Sequence, residues 1–96
     1  MEVPAKDIPS GADFMMPIAG DGMEPVFHDG QYVFVQRCTS LFPFDPGVFL
    51  VDGKAFLRLY TEQNRKKILT TYENRREPIE IGPETDFHII GRVLRR

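Results

Sequence analysis

Six prolines, at positions 17, 25, 43, 46, 78 and 83, are spread so that they interrupt most helices of useful length. No window holds apolar residues at helical spacing for three turns, so the remaining pattern has to be read as strands and turns. Short apolar segments at Phe14 to Ile18, Gln31 to Gln36, Gly47 to Val51, Lys54 to Thr61, Lys67 to Tyr72, Pro78 to Ile81 and Phe87 to Leu94 fit that reading. Gln31 to Gln36 is the plainest strand, rich in β-branched and aromatic residues and preceded by Asp29-Gly30. Asp52-Gly53 lies between two such runs, which predicts a tight hairpin folding Lys54 to Thr61 back on Gly47 to Val51. Only a short turn is expected, around Met23 to Phe27. The fold class is therefore all-β, a partly closed barrel or folded sheet with short turns. Residues 1–12, with Pro4, Pro9, Ser10 and Gly11, read as a lead-in or linker remnant, and residues 13–96 as one domain.

Composition bounds what such a domain does. Its 96 residues are 42% hydrophobic and 27% charged, as in an ordinary globular domain able to close a single core. A formal net charge of -2 argues against gripping nucleic acid unaided, because affinity for a polyanion needs a basic footprint. Cys38 is the one cysteine, which excludes an internal disulfide framework and a multi-cysteine zinc site. His28 and His88 have no metal-ligand spacing, and the sequence implies no cofactor and no small-molecule ligand. No apolar run is long enough to span a bilayer and no signal pattern opens the chain, so a cytoplasmic protein without membrane contact is expected.

One segment carries specific information. From Ile18 to Val35 an apolar strand leads into Gly20-Asp21-Gly22-Met23-Glu24-Pro25, then Asp29-Gly30 and the strand Tyr32 to Val35. By itself this is a glycine-rich connection in which Gly20 and Gly22 offer backbone geometries that other residues resist. The segment resembles the catalytic loop of the LexA/phage-repressor family of self-cleaving regulators, which includes UmuD-type proteins and shares a fold with signal peptidases. In that family the loop reads Gly-Asp-Ser-Met-x-Pro, followed by Gly-Asp and a Val-rich strand. Gly20, Asp21, Met23, Pro25 and Gly30 match in order. Asp45-Pro46-Gly47-Val48 resembles the family's Gly-Asp-Ile-Val, and Ala55 to Tyr60 its lysine-bearing strand. Glu73-Asn74 with Pro78-Ile79 is similar to its Asn-x-x-Tyr-x-Pro-Ile without the tyrosine, and Phe87 to Val93 to its closing Phe-x-Ile-x-Gly-x-Val strand.

Two departures bear on activity. Cleaving members use a serine activated by a lysine, because a free hydroxyl needs a base to take its proton and a lysine serves only when neutral. Gly22 stands at the serine position and has no side chain. The lysine position falls on Arg58, 36 positions later, or on Leu57 with a slip of one residue. A guanidinium stays protonated and offers only donors, and a leucine offers nothing. Only 21 residues precede Gly22, and Met1 to Ala12 holds no Ala-Gly or Cys-Gly of the kind the family cuts. The resemblance thus implies a catalytically inactive domain, a pseudo-peptidase whose vestigial loop is Gly20, Asp21, Gly22, Met23 and Pro25. If Arg58 lies beneath that loop, Asp21, Glu24 or loop carbonyls are its expected partners.

The family's catalytic domain also dimerises, and in repressors it follows a DNA-binding helix-turn-helix domain. The expectation is a homodimerisation module of a transcriptional regulator, with DNA reached only through another domain. The closing strand points to an interface of Phe87, His88, Ile89, Ile90, Arg92, Val93 and Leu94. Strict alternation would put His88, Ile90, Arg92 and Leu94 on one face and Phe87, Ile89, Gly91 and Val93 on the other. The alternatives are a self-cleaving serine/lysine peptidase inactivated by mutation, and a free-standing partner-binding protein. Cys38 reads as a packed or semi-exposed thiol and His28 as a loop residue. Arg65-Lys66-Lys67 and Arg75-Arg76 read as solvated groups near a turn. Leu41-Phe42-Pro43-Phe44 is apolar for a connection and is either packed on the sheet or presented to a partner.

Overall fold

The computed structural model describes residues 8–94. Seven strands are present: β1 (Phe14–Pro17), β2 (Tyr32–Arg37), β3 (Pro46–Val51), β4 (Lys54–Gln63), β5 (Lys66–Thr70), β6 (Ile79–Ile81) and β7 (Phe87–Leu94). A 3-10 turn, η1 (Tyr72–Asn74), lies between β5 and β6. All pairings are antiparallel, in one curved sheet of order β1-β2-β7-β3-β4-β5-β6. Each apolar run of the sequence thus becomes a strand, and the all-β expectation holds. The deviations are at the ends: β4 runs on to Gln63, while Tyr72 leaves β5 to begin the 3-10 turn. Residues 1–7 of the expected lead-in, and residues 95–96 of the expected domain, lie outside the described residues.

Turn chemistry fixes the register. Asp52 and Gly53 take φ of 50° and 82°, so Val51 pairs directly with Lys54. This is the twist-matched two-residue hairpin that an Asp-Gly sequence favours. Asn64 and Arg65 repeat it at φ of 52° and 66°, pairing Gln63 with Lys66. Here no glycine relieves the left-handed arginine.

Adjacent residues of a strand face opposite ways, and this sheet buries apolar side chains on both faces. On one face Val33, Val35, Val48, Leu59 and Val93 meet Ile18, Met23 and Phe27 of the long β1–β2 connection. On the other, Phe49, Val51, Tyr60 and Leu69 pack with Leu41, Ile79, Ile81 and Phe87. Val48 and Phe49, and likewise Leu59 and Tyr60, are neighbours sent to different cores.

Strict alternation along β7 is overturned by a bulge. Gly91 pairs with Val48 but Ile89 pairs with Phe49, so Ile90 is an extra residue between them. Ile90 therefore packs with the Val93 core, while Phe87 and Ile89 serve the other. β7 also lies in the interior of the sheet, flanked by β2 and β3. Gly91 is required at this crossing, since a Cβ would sit 2.5 Å from the Gln36 carbonyl oxygen and 2.6 Å from Val35 Cγ1.

Candidate functional site, a cleft beneath the Gly20 to Pro25 loop

The β1–β2 connection is tied shut by its own polar groups. Ile18 N–H donates to the Gln31 carbonyl and Gly30 N–H to the Ile18 carbonyl, both at 2.8 Å. Asp29 Oδ1 accepts from Gly20 N–H at 2.7 Å, so Asp29 positions the loop across nine residues. Within it, Phe27 N–H reaches the Met23 carbonyl at 2.9 Å, forming the short turn expected there. Met23 and Phe27 are the apolar anchors of that turn, both buried in the sheet core. The Glu24–Pro25 bond is cis.

Gly20 and Gly22 differ in what they contribute. Gly20 has a φ of +90° with open space around it, so there the backbone calls for glycine. Gly22 is not in the left-handed region, contrary to the expectation that both glycines serve unusual backbone geometry. What Gly22 supplies is room. A Cβ built on it would lie 3.3 Å from Arg58 Nη1 and 3.6 Å from Arg76 Cγ.

The structure thus brings Gly22 and Arg58 together, from a loop and from β4. They share a cleft of about 360 Å³ with Met16, Pro17, Ile18, Met23, Ala55 and Leu57. Both alternatives for the lysine position, Arg58 and Leu57, line it. Leu57 also packs against the core that holds Met23, whereas Arg58 sends its guanidinium to the space above Gly22. Among the described residues, two strand edges without a strand partner border the cleft. β1 is the outermost strand of the sheet, and β4 pairs with β5 only from Leu59 onward, leaving Lys54–Arg58 without a partner on that side.

The expected Asp21 or Glu24 partner for Arg58 is not found. Asp21 is paired with Arg76 Nη2, and the Glu24 carboxylate with His28 Nδ1. Arg58 instead donates from Nη1 to the carbonyl of Leu57 at 2.8 Å and lies over the Phe56 ring, 5.2 Å from its centre. Its Nε is buried with no hydrogen-bond partner. Burial, and then the nearby charge of Arg76, hold its pKa below the usual guanidinium range. The group nonetheless remains a cation and a donor at neutral pH.

Arg75 and Arg76 are exposed, as the sequence suggests, but both are engaged with the loop. Arg75 Nε donates to the Glu24 carbonyl at 3.1 Å, and Tyr72 places its ring 6.4 Å from that of Phe27. The η1 segment thereby clamps the Gly20 to Pro25 loop from outside. These contacts join residues more than forty positions apart, and no local pattern encodes them. The only available hint was charge: two arginines for a loop holding Asp21 and Glu24.

The remaining candidates lie elsewhere. His88 pairs with Asp86 at 2.9 Å on the surface, far along the chain from His28. Cys38 is half-buried beside Phe14 and Ile90. Arg65, Lys66 and Lys67 are exposed as expected. Phe42 and Phe44 are presented rather than packed, at 72% and 63% exposure. Asp45 holds their loop, its carboxylate accepting from Phe42 N–H at 2.9 Å and Arg92 Nε at 3.2 Å. Of the β7 residues, Val93 is core at 3% exposure, His88 is open to solvent, and Leu94 borders a second cleft with Val26 and Tyr32. Among the described residues no helix is long and apolar enough to cross a membrane.

No curated protein matches the chain. A family described as Peptidase S24-like matches residues 1–94, nearly the entire sequence. With that span, and with the loop, strand and closing glycine standing where the fold requires them, the chain belongs to the Peptidase S24-like family.

Proposed function

We propose that this chain is a non-cleaving member of its family that serves as the dimerisation module of a cytoplasmic transcriptional regulator. The observation that carries this reading is the pair Gly22 and Arg58. A hydroxyl nucleophile needs a side chain at the loop position and a neutral amine within reach of it. This chain offers a Cα hydrogen and, 3.3 Å from where a Cβ would be, a cation that cannot accept a proton. A domain that retains the loop, its clamp and its apolar anchors but not the reacting groups is suited to association rather than chemistry. Any DNA contact belongs to another domain, consistent with the net charge of -2.

For the homodimer, β7 is an interior strand and cannot add a partner along its edge. The interface would use the side chains of β7 that reach the surface and the apolar cleft at its end, where Val26, Tyr32 and Leu94 meet. Sedimentation equilibrium should give a two-chain species, weakened by Tyr32→Glu. A strict monomer at high protein concentration would remove the dimer from the proposal. Peptidase activity is tested by Gly22→Ser with Arg58→Lys in a chain extended upstream. Inertness of the parent with cleavage by the double variant would place the chain among enzymes silenced by substitution. Inertness of both supports an older loss. The exposed Phe42 and Phe44 favour a second reading, a partner-binding protein. A dimer that survives Phe42→Ser and Phe44→Ser, while capture of a related regulator is lost, would favour it.

A further inference from the structure

No acid among the described residues pairs with Arg58. Among the described residues every other arginine that faces the loop is engaged by an acid or a carbonyl of a distant segment: Arg76 by Asp21, Arg75 by the Glu24 carbonyl. Arg58 has only the carbonyl of the residue before it and the face of Phe56, and its Nε is buried and unbonded. A half-buried cation left in this state is costly, and a fixed donor fork is what binds a planar anion. The space available is the cleft of about 360 Å³ that Gly22 and Arg58 both line.

We propose that the notch formed by Gly22 and Arg58 is a carboxylate-binding site. Charge selects the anion. Arg76 is already paired with Asp21, so among the described residues the cleft holds one uncompensated positive charge, which one carboxylate matches and a phosphate dianion exceeds. The walls select what carries it. Met16, Ile18, Met23, Ala55 and Leu57 give the cleft an apolar lining, so the ligand is a carboxylate on an apolar body. Two sources share this chemistry: a free short-chain carboxylic acid, and the C-terminus of an extended peptide, for which the bare edge of Lys54–Arg58 offers backbone partners. The site goes beyond the regulatory reading and stands whether or not the chain dimerises.

The test is a titration of the full chain followed by amide NMR shifts at Gly22 and Met23 and by calorimetry. Four probes are used: sodium butyrate, inorganic phosphate, an acetylated tetra-alanine acid, and the same peptide as its amide. The carboxylates are expected to bind, with the amide about tenfold weaker or more, as loss of a charge-assisted hydrogen-bond pair implies. Butyrate binding as well as the peptide acid assigns the site to free acids, whereas a clear advantage for the peptide assigns it to chain ends. Arg58→Gln should abolish the acid-over-amide preference, and Arg58→Lys should keep part of it, which separates loss of charge from loss of fold. Acid and amide binding equally would overturn the proposal. So would phosphate binding better than either acid, or no response to any carboxylate up to about 10 mM.

Discussion

The three glycines at 20, 22 and 91 show how one residue type answers three different demands. Gly20 is set by its own backbone, Gly22 by a neighbour's side chain, and Gly91 by a neighbouring strand. Substitution by alanine should therefore give three distinct costs in denaturant unfolding. Gly20→Ala forces a side chain into left-handed backbone and should cost about 1–2 kcal/mol. Gly22→Ala is tight only against the movable end of Arg58, with Arg76 Cγ at ordinary contact distance, and should stay within about 1 kcal/mol, since a flexible terminus can shift. Gly91→Ala drives a Cβ against the Gln36 carbonyl in the middle of the sheet and should cost about 3 kcal/mol or prevent folding. Equal losses at positions 20 and 22 would show that Gly22, too, is a backbone requirement.

Among the elements, the β4–β5 hairpin is the one whose turn departs from its own chemistry. Asn64 tolerates a left-handed conformation, but Arg65 at φ 66° gains nothing from it. Arg65→Gly should stabilise the protein by roughly 0.5–1 kcal/mol, read as a raised denaturation midpoint with unchanged slope. The same hairpin marks what the sequence could disclose. Asp52-Gly53 announced its turn because both residues suit left-handed geometry, whereas Asn64-Arg65 makes an equivalent turn without that signature. Strands were legible since each carries a run of apolar or β-branched residues bounded by turn formers. The bulge at Ile90 was not, because an extra residue in β7 is defined by the pairing with β3 rather than by β7 itself. Gly22 and Arg58 were found through the loop motif and the order of strands. Their surroundings were not, because Arg75 and Arg76 arrive from a segment whose local pattern reads only as charged and turn-like.

Taken as a whole, the molecule has two cores joined through one sheet, and Tyr60 reports on their integrity. Its ring is buried beside Phe49, and its hydroxyl donates to Glu62 at 3.0 Å. Burial, then the hydrogen bond and charge of Glu62, push its pKa up to about 12 from an ordinary value near 10. A raised tyrosine pKa means the folded state holds the proton more tightly than the unfolded chain. Stability from this source is therefore complete below about pH 10 and is lost as pH rises toward about 12. Tyrosinate absorbance should show one of the three tyrosines titrating late, and Tyr60→Phe should flatten the alkaline fall in stability. A fall of equal depth in the Tyr60→Phe protein would assign it to other groups. The close approach of Arg58 to Gly22 also ties the two positions together under the proposed non-cleaving reading. A serine placed at 22 alone would meet a guanidinium and find no base, while a lysine placed at 58 alone would face a residue with nothing to activate. On that reading neither single change brings cleavage, and selection for cleavage would have only the pair to act on.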